Sequence, residues 1–96
     1  MLFRSKGVVS ALRVQQKGIT WGSGDNLLDT EVVVVFKNKA GYAFGFQLRN
    51  DERLHSNRAM LDLLRDAFAH GIEADITYDE TRGRMAGAIV QVTLAR

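Results

Sequence analysis

TEVVVVFKNKAGYAFGFQLR, running from Thr30 to Arg49, holds two runs of β-branched and aromatic residues on either side of Lys39-Ala40-Gly41. Such runs around a glycine-containing trio read as a β-hairpin. A three-residue loop gives Gly41 its use, because a type I turn followed by a bulge needs one left-handed residue. In that register Asn38 faces Tyr42, Phe36 faces Phe44, Val34 faces Phe46 and Val32 faces Leu48. All of these share one face, since side chains alternate along a strand. The opposite face pairs Lys37 with Ala43, Val35 with Gly45, Val33 with Gln47, and Glu31 with Arg49. The last pair joins opposite charges across the strands and supports the register. A loop one residue longer or shorter would put Val33 and Val35 among the aromatics instead.

The aromatic face builds a core. The second face is not polar, as a solvated face would be. It can be covered by the chain's own termini and loops, or it can be a flat docking surface for another subunit or a ligand. The expected partner-binding surface is Val33, Val35, Ala43, Gly45 and Gln47, with Lys37, Glu31 and Arg49 at its rim. Burying a few hundred Å² of such surface, at about 25 cal/mol per Å², contributes several kcal/mol before association entropy is subtracted.

Outward from the hairpin, 96 residues make one domain over 1–96 with a single core. Hydrophobic residues at 46% and charged residues at 25% are ordinary for a globular protein, and a net charge of +2 does not by itself imply a polyanionic partner. The absence of cysteine excludes disulfides and thiolate metal sites, and two histidines, His55 and His70, offer little to zinc. No cofactor or metal is expected. No segment approaches the roughly 20 apolar residues that span a bilayer, and the N-terminus has no cleavage signal, so a cytoplasmic location is the expectation.

Lys6 to Gln15 reads as a first strand, with Ser10 interrupting its alternation and Gly18 marking a bulge before Ile19, Thr20 and Trp21. A long bent first strand is what a small closed barrel needs, because it serves two sheets. Gly22-Ser23-Gly24-Asp25-Asn26 is a loop. Ser56 is the expected N-cap of a helix over 57–70, whose Met60, Leu61, Leu64, Ala67 and Phe68 form an apolar stripe. Gly71 stops that helix. Ile72 to Asp79 alternates as a strand with Ile72, Ala74, Ile76 and Tyr78 inward. A loop with Thr81-Arg82-Gly83-Arg84 leads to a last strand over Ala88–Ala95, with Val90, Val92 and Leu94 on one side and Ile89, Gln91 and Thr93 on the other.

The order β-β-β-α-β-β resembles the OB-fold, a five-stranded barrel with a helix between its third and fourth strands. The alternative is an open curved sheet with one helix on its concave face. Within that superfamily, AMLDLLRDAFAHGIEADITYD followed by AIVQVTL is similar to the helix-and-strand portion of toxin B-subunits that form pentameric rings. Those subunits are secreted and usually carry a disulfide; this chain has no cysteine, so the resemblance implies edge-to-edge assembly and not a glycan-binding role.

Catalysis needs convergent titratable groups. His55, Ser56 and His70 sit in no nucleophile context, and Glu73, Asp75 and Asp79 share a strand face that reads as a solvated surface. Asp25 and Asp29 match no calcium-loop spacing. The protein is therefore read as a non-catalytic binding or assembly module, self-associating through the outer face of the hairpin. The alternative is single-stranded nucleic-acid binding through basic loops, with Lys39, Arg82 and Arg84 on phosphates and Trp21 as the stacking platform. The hairpin aromatics, turned to the core, are not available to bases.

Overall fold

The computed structural model describes residues 1–80 and 85–95. Its elements are β1 (Leu2–Val14), β2 (Val32–Phe36), β3 (Ala43–Phe46), α1 (Leu54–His70), β4 (Glu73–Asp79) and β5 (Ala86–Thr93). The strands form a closed barrel in the order β1-β2-β3-β5-β4, with β4 pairing back onto β1. This is the expected OB-like order, mainly β with one helix between β3 and β4. The neighbours are antiparallel except β3 and β5, which run parallel.

Closure depends on β1. Its first half, Leu2–Val8, pairs with β4, and its second half, from Val9 to Val14, pairs with β2. The bend is at Ser10, not Gly18: the ladder slips between Val9 and Ala11, and the Ser10 hydroxyl donates to the Val35 carbonyl at 3.1 Å. An extra residue on one strand increases its bend and twist, which lets one strand belong to two sheets.

The hairpin keeps its predicted faces but not its predicted register. Val32 lies opposite Phe46, Val33 opposite Gly45 and Val34 opposite Phe44, a shift of two residues. The shift arises because Lys37–Lys39 coil into a 3-10 turn and lengthen the connection. A type II turn follows it, with Ala40 at φ −57°, ψ 137°, Gly41 at φ 89°, and the Tyr42 N–H donating to the Lys39 carbonyl at 3.1 Å. Gly41 supplies the left-handed residue, in a different turn from the one expected. A slip of two preserves side-chain parity, so Val32, Val34, Phe36, Tyr42, Phe44 and Phe46 all enter the core.

α1 closes one end of the barrel through Met60, Leu64 and Ala67. It begins three residues, just under one turn, earlier than a cap at Ser56 would set. Arg53 is the N-cap, its N–H held by Asp51 Oδ1 at 2.9 Å, and the Ser56 hydroxyl instead donates to the Arg53 carbonyl at 3.1 Å. Gly71 ends the helix in the left-handed conformation, as expected. Ala74, Ile76 and Tyr78 of β4 point inward, while Ile72 is outside the strand and exposed. On β5 strict alternation fails. Gln91 is opposite Thr77 and Ile89 opposite Tyr78, so Val90 is an extra residue; both Ile89 and Val92 turn inward and Val90 turns out.

Candidate functional site

The outer face of the hairpin is covered on its β3 side by a strap, residues 22–29, that the chain lays over itself. The strap starts where Trp21 and Leu28 exchange backbone hydrogen bonds of 3.0 and 2.7 Å. It crosses to the residue just before β5, where Asn26 Oδ1 accepts from the Met85 N–H at 2.7 Å. It returns beside β3, where Gln47 Nε2 donates to the Asp29 carbonyl at 3.0 Å. Gly45 is the seat of this crossing: a Cβ there would lie 2.9 Å from Leu28 Cδ2 and 2.8 Å from Thr30 Cγ2. Glycine lets the strap approach the sheet this closely.

The strap changes the standing of the expected partner-binding residues. Val33, Ala43, Gly45 and Glu31 are buried within the single chain. Val35, Gln47 and Arg49 are half-buried, and Lys37 is exposed. Thus the apolar face has an internal use over β3, and only its β2 side stays open, where Val35 pairs with exposed Ala11.

Glu31 and Arg49 do meet, although the two-residue shift sets Glu31 level with Gln47. Arg49 reaches diagonally. Its Nε donates to Glu31 Oε1 at 3.1 Å and its Nη2 to Glu31 Oε2 at 3.2 Å, a two-point contact, and Nη2 also donates to Asp29 Oδ1 at 2.8 Å. The hydrogen bond to Glu31 foremost, and that to Asp29 next, hold the guanidinium above its already high ordinary pKa. Glu31 Oε1 also accepts from the Leu48 N–H at 3.0 Å. Replacing Glu31 by alanine leaves the Leu48 N–H without its acceptor and Arg49 with Asp29 alone. The expected loss is about 1.5–3 kcal/mol of unfolding free energy in urea titrations. A loss no larger than that of Asp25→Ala on the exposed strap would show the cluster to be ornamental.

Past the strap the barrel wall is incomplete. β3 pairs with β5 only from Ala43–Ala86 to Gly45–Ala88, and β3 ends at Phe46 while β5 continues to Thr93. A groove of about 460 Å³ lies there, lined by Leu28, Asp29, Gln47, Arg53, Asn57 and Val90 among others. Asn57 Nδ2 donates to the Gln47 carbonyl at 2.6 Å and ties α1 to the end of β3. Asp29 is taken up by Arg49 at 2.8 Å, whereas Arg53 makes a longer ion pair of 3.9 Å with Asp51. Exposed Val90, Met85 and Leu27 lie along the same side. Gly45 and Gln47 are the two expected partner-binding residues in this groove; the whole lining comes from four separated segments, 28–30, 45–47, 53–57 and 88–90.

The basic residues proposed for nucleic acid are differently placed. Lys39 folds inward, with Nζ 4.9 Å from the Tyr42 ring centre, 5.8 Å from that of Tyr78 and 3.5 Å from the Tyr78 hydroxyl. Trp21 is half-buried at the foot of the strap. Arg82 and Arg84 lie outside the described residues. The carboxylates of β4 are spent on β1: Asp75 pairs with Arg4 at 2.6 Å, Glu73 with Lys6 at 3.9 Å, and Asp79 with the N-terminal ammonium at 3.0 Å. Among the described residues no group of three His, Cys, Asp or Glu could hold a metal ion, and no helix is long and apolar enough to cross a membrane.

Comparison with protein-family models gives no match, and comparison with curated proteins gives none. Among solved structures the chain is similar to human heat-labile enterotoxin, in a crystal structure with a blood group A antigen analog. The two share 13% identity over 99% of this chain and 86% of that one, with a TM-score of 0.66. At that identity the likeness is one of fold: this chain is built as the same kind of closed five-stranded barrel.

Proposed function

We propose that this chain is a non-catalytic binding and assembly module that associates with further copies through the open part of its β2–β3 outer face and the apolar side beyond the strap. One observation carries this reading. Asp29 and Glu31 beside the strap are neutralised by Arg49, while half-buried Val35 with exposed Ala11 on one side and exposed Leu27, Met85 and Val90 on the other keep apolar surface open. A surface with neutralised charges and open small or branched apolar groups suits protein contact. Likeness in fold to an enterotoxin solved with a bound antigen analog agrees with a binding role for such a barrel.

Light scattering after size exclusion is the test. At high micromolar concentration the protein is expected to run as a dimer or larger, and Val35→Asp or Val90→Asp to shift it toward monomer by about tenfold in dissociation constant, near 1.4 kcal/mol. A strict monomer, unmoved by either variant, would overturn self-association. Salt-dependent capture of a single-stranded oligonucleotide, weakened by Trp21→Ala, would favour the nucleic-acid reading instead.

A further inference from the structure

We propose that the groove between the strap, α1 and β5 receives an extended peptide bearing an acidic side chain, which adds to the free edge of β5 beside Arg53. The inference rests on the binding-module reading and names the ligand class of this groove.

The backbone argues for an extended chain. β5 is paired on both sides at Ala88 alone, where its ladder with β3 stops and that with β4 begins. From Ile89 to Thr93 it pairs, among the described residues, with β4 alone, and its other edge has no strand partner among them. Such an edge offers N–H and C=O groups at strand spacing, and added strands use them. Five residues at about 3.3 Å each give roughly 16 Å of edge. The groove's 460 Å³ lies within the range of about 300–1,000 Å³ usual for ligand sites.

The side chains argue for the chemistry. Asn57 and Gln47 each turn the amide nitrogen to a carbonyl, that of Gln47 and of Asp29, which leaves the amide oxygens to accept from a passing backbone. Val90, pushed outward by the bulge, gives an apolar contact for an alternate side chain. The charge is decided by what is already spent. Asp29 and Arg53 are the charged residues of the lining; Asp29 holds Arg49 at 2.8 Å, whereas Arg53 is two-thirds exposed and makes only a long 3.9 Å ion pair with Asp51, which a closer carboxylate can replace. A carboxylate on the peptide fits that guanidinium by charge and by its fork of donors.

The test uses a set of fluorescein-labelled seven-residue Val/Thr peptides in which one Asp is moved through every position, with matching Lys peptides. Fluorescence anisotropy with the full chain is expected to find at least one Asp peptide that binds tenfold more tightly than its Lys counterpart. Arg53→Glu, at an exposed position, is expected to invert that preference, and N-methylation of alternate peptide amides to abolish binding. Amide chemical shifts are expected to move over 88–93 and 53–57. Binding indifferent to N-methylation and to Arg53→Glu, or absent at millimolar peptide, would overturn the proposal. Binding of the blood group A trisaccharide in the groove without peptide binding would also overturn it and leave the binding-module reading standing. Failure of peptide, saccharide and self-association together would remove both.

Discussion

Replacing Phe44 by alanine is expected to lower the unfolding free energy by about 3–5 kcal/mol, a large share of the roughly 5–15 kcal/mol that holds a domain together. Phe44 is fully buried at the centre of the barrel. Its ring centre lies 5.3 Å from that of Phe36, 4.7 Å from Tyr42 and 4.7 Å from Tyr78, in tilted or edge-on arrangements. Those three rings come from β2, from the turn before β3 and from β4, so truncation leaves a hole between elements already fixed by closure of the barrel. A closed sheet cannot slide inward to fill it, and the cavity cost adds to the lost burial. Thermal melting should fall by about 15 °C or more for a domain of this size. Leu63→Ala, on the exposed side of α1, provides the comparison and should move the midpoint little. A loss below about 1 kcal/mol for Phe44→Ala would show that the aromatic cluster is not the core.

The second large effect is expected from adding a single methyl group at Gly45. Its Cβ would lie 2.5 Å from the Val32 carbonyl oxygen. That atom belongs to the backbone of the β2–β3 ladder and cannot turn aside, unlike the Leu28 and Thr30 methyl groups nearby. Gly45→Ala is therefore expected to cost about 3 kcal/mol, at the upper end of overpacking effects. Its signature is local as well as global. Amide exchange should quicken at Leu28 and Trp21 before the rest of the barrel opens, because the strap loses its seat. Leu28→Ala in the same chain should recover little, since the carbonyl clash remains. Unchanged exchange in the strap would show that it does not rest on this position.

Much of the fold was legible because it is carried by parity. Val32, Val34, Phe36, Phe44 and Phe46 alternate with their neighbours, and any even slip of register leaves them on one face. The register itself was not legible: it depends on Lys37–Lys39 coiling, and three polar residues before a type II turn carry no period of two. The outward turn of Val90 escaped for a related reason, because a bulge is defined by the partner strand and the run AIVQVTL reads as even alternation. The N-cap was misplaced because Ser56 has the right chemistry, while Arg53 is capped from Asp51, outside the helix. For the site, Gly45 and Gln47 were within reach, as a small residue in a strand signals close approach. The strap that approaches it has no apolar rhythm, and the groove is assembled from four distant segments that only closure of the barrel brings together.

The division of β1 between two partners also sets a timetable for synthesis. Val9–Val14 can pair with β2 soon after the hairpin emerges, but Val8 waits for Glu73 and Leu2 for Asp79. At about 5–20 residues per second, the first half of the strand spends on the order of 3–15 s without its partner. The outward-facing Arg4 and Lys6, which later hold Asp75 and Glu73, give that waiting segment a positive charge while its ribosome is still at work. Like charges on an unpaired edge discourage neighbouring nascent chains from joining it. The same two side chains thus guard the strand before the barrel closes and fasten it afterward.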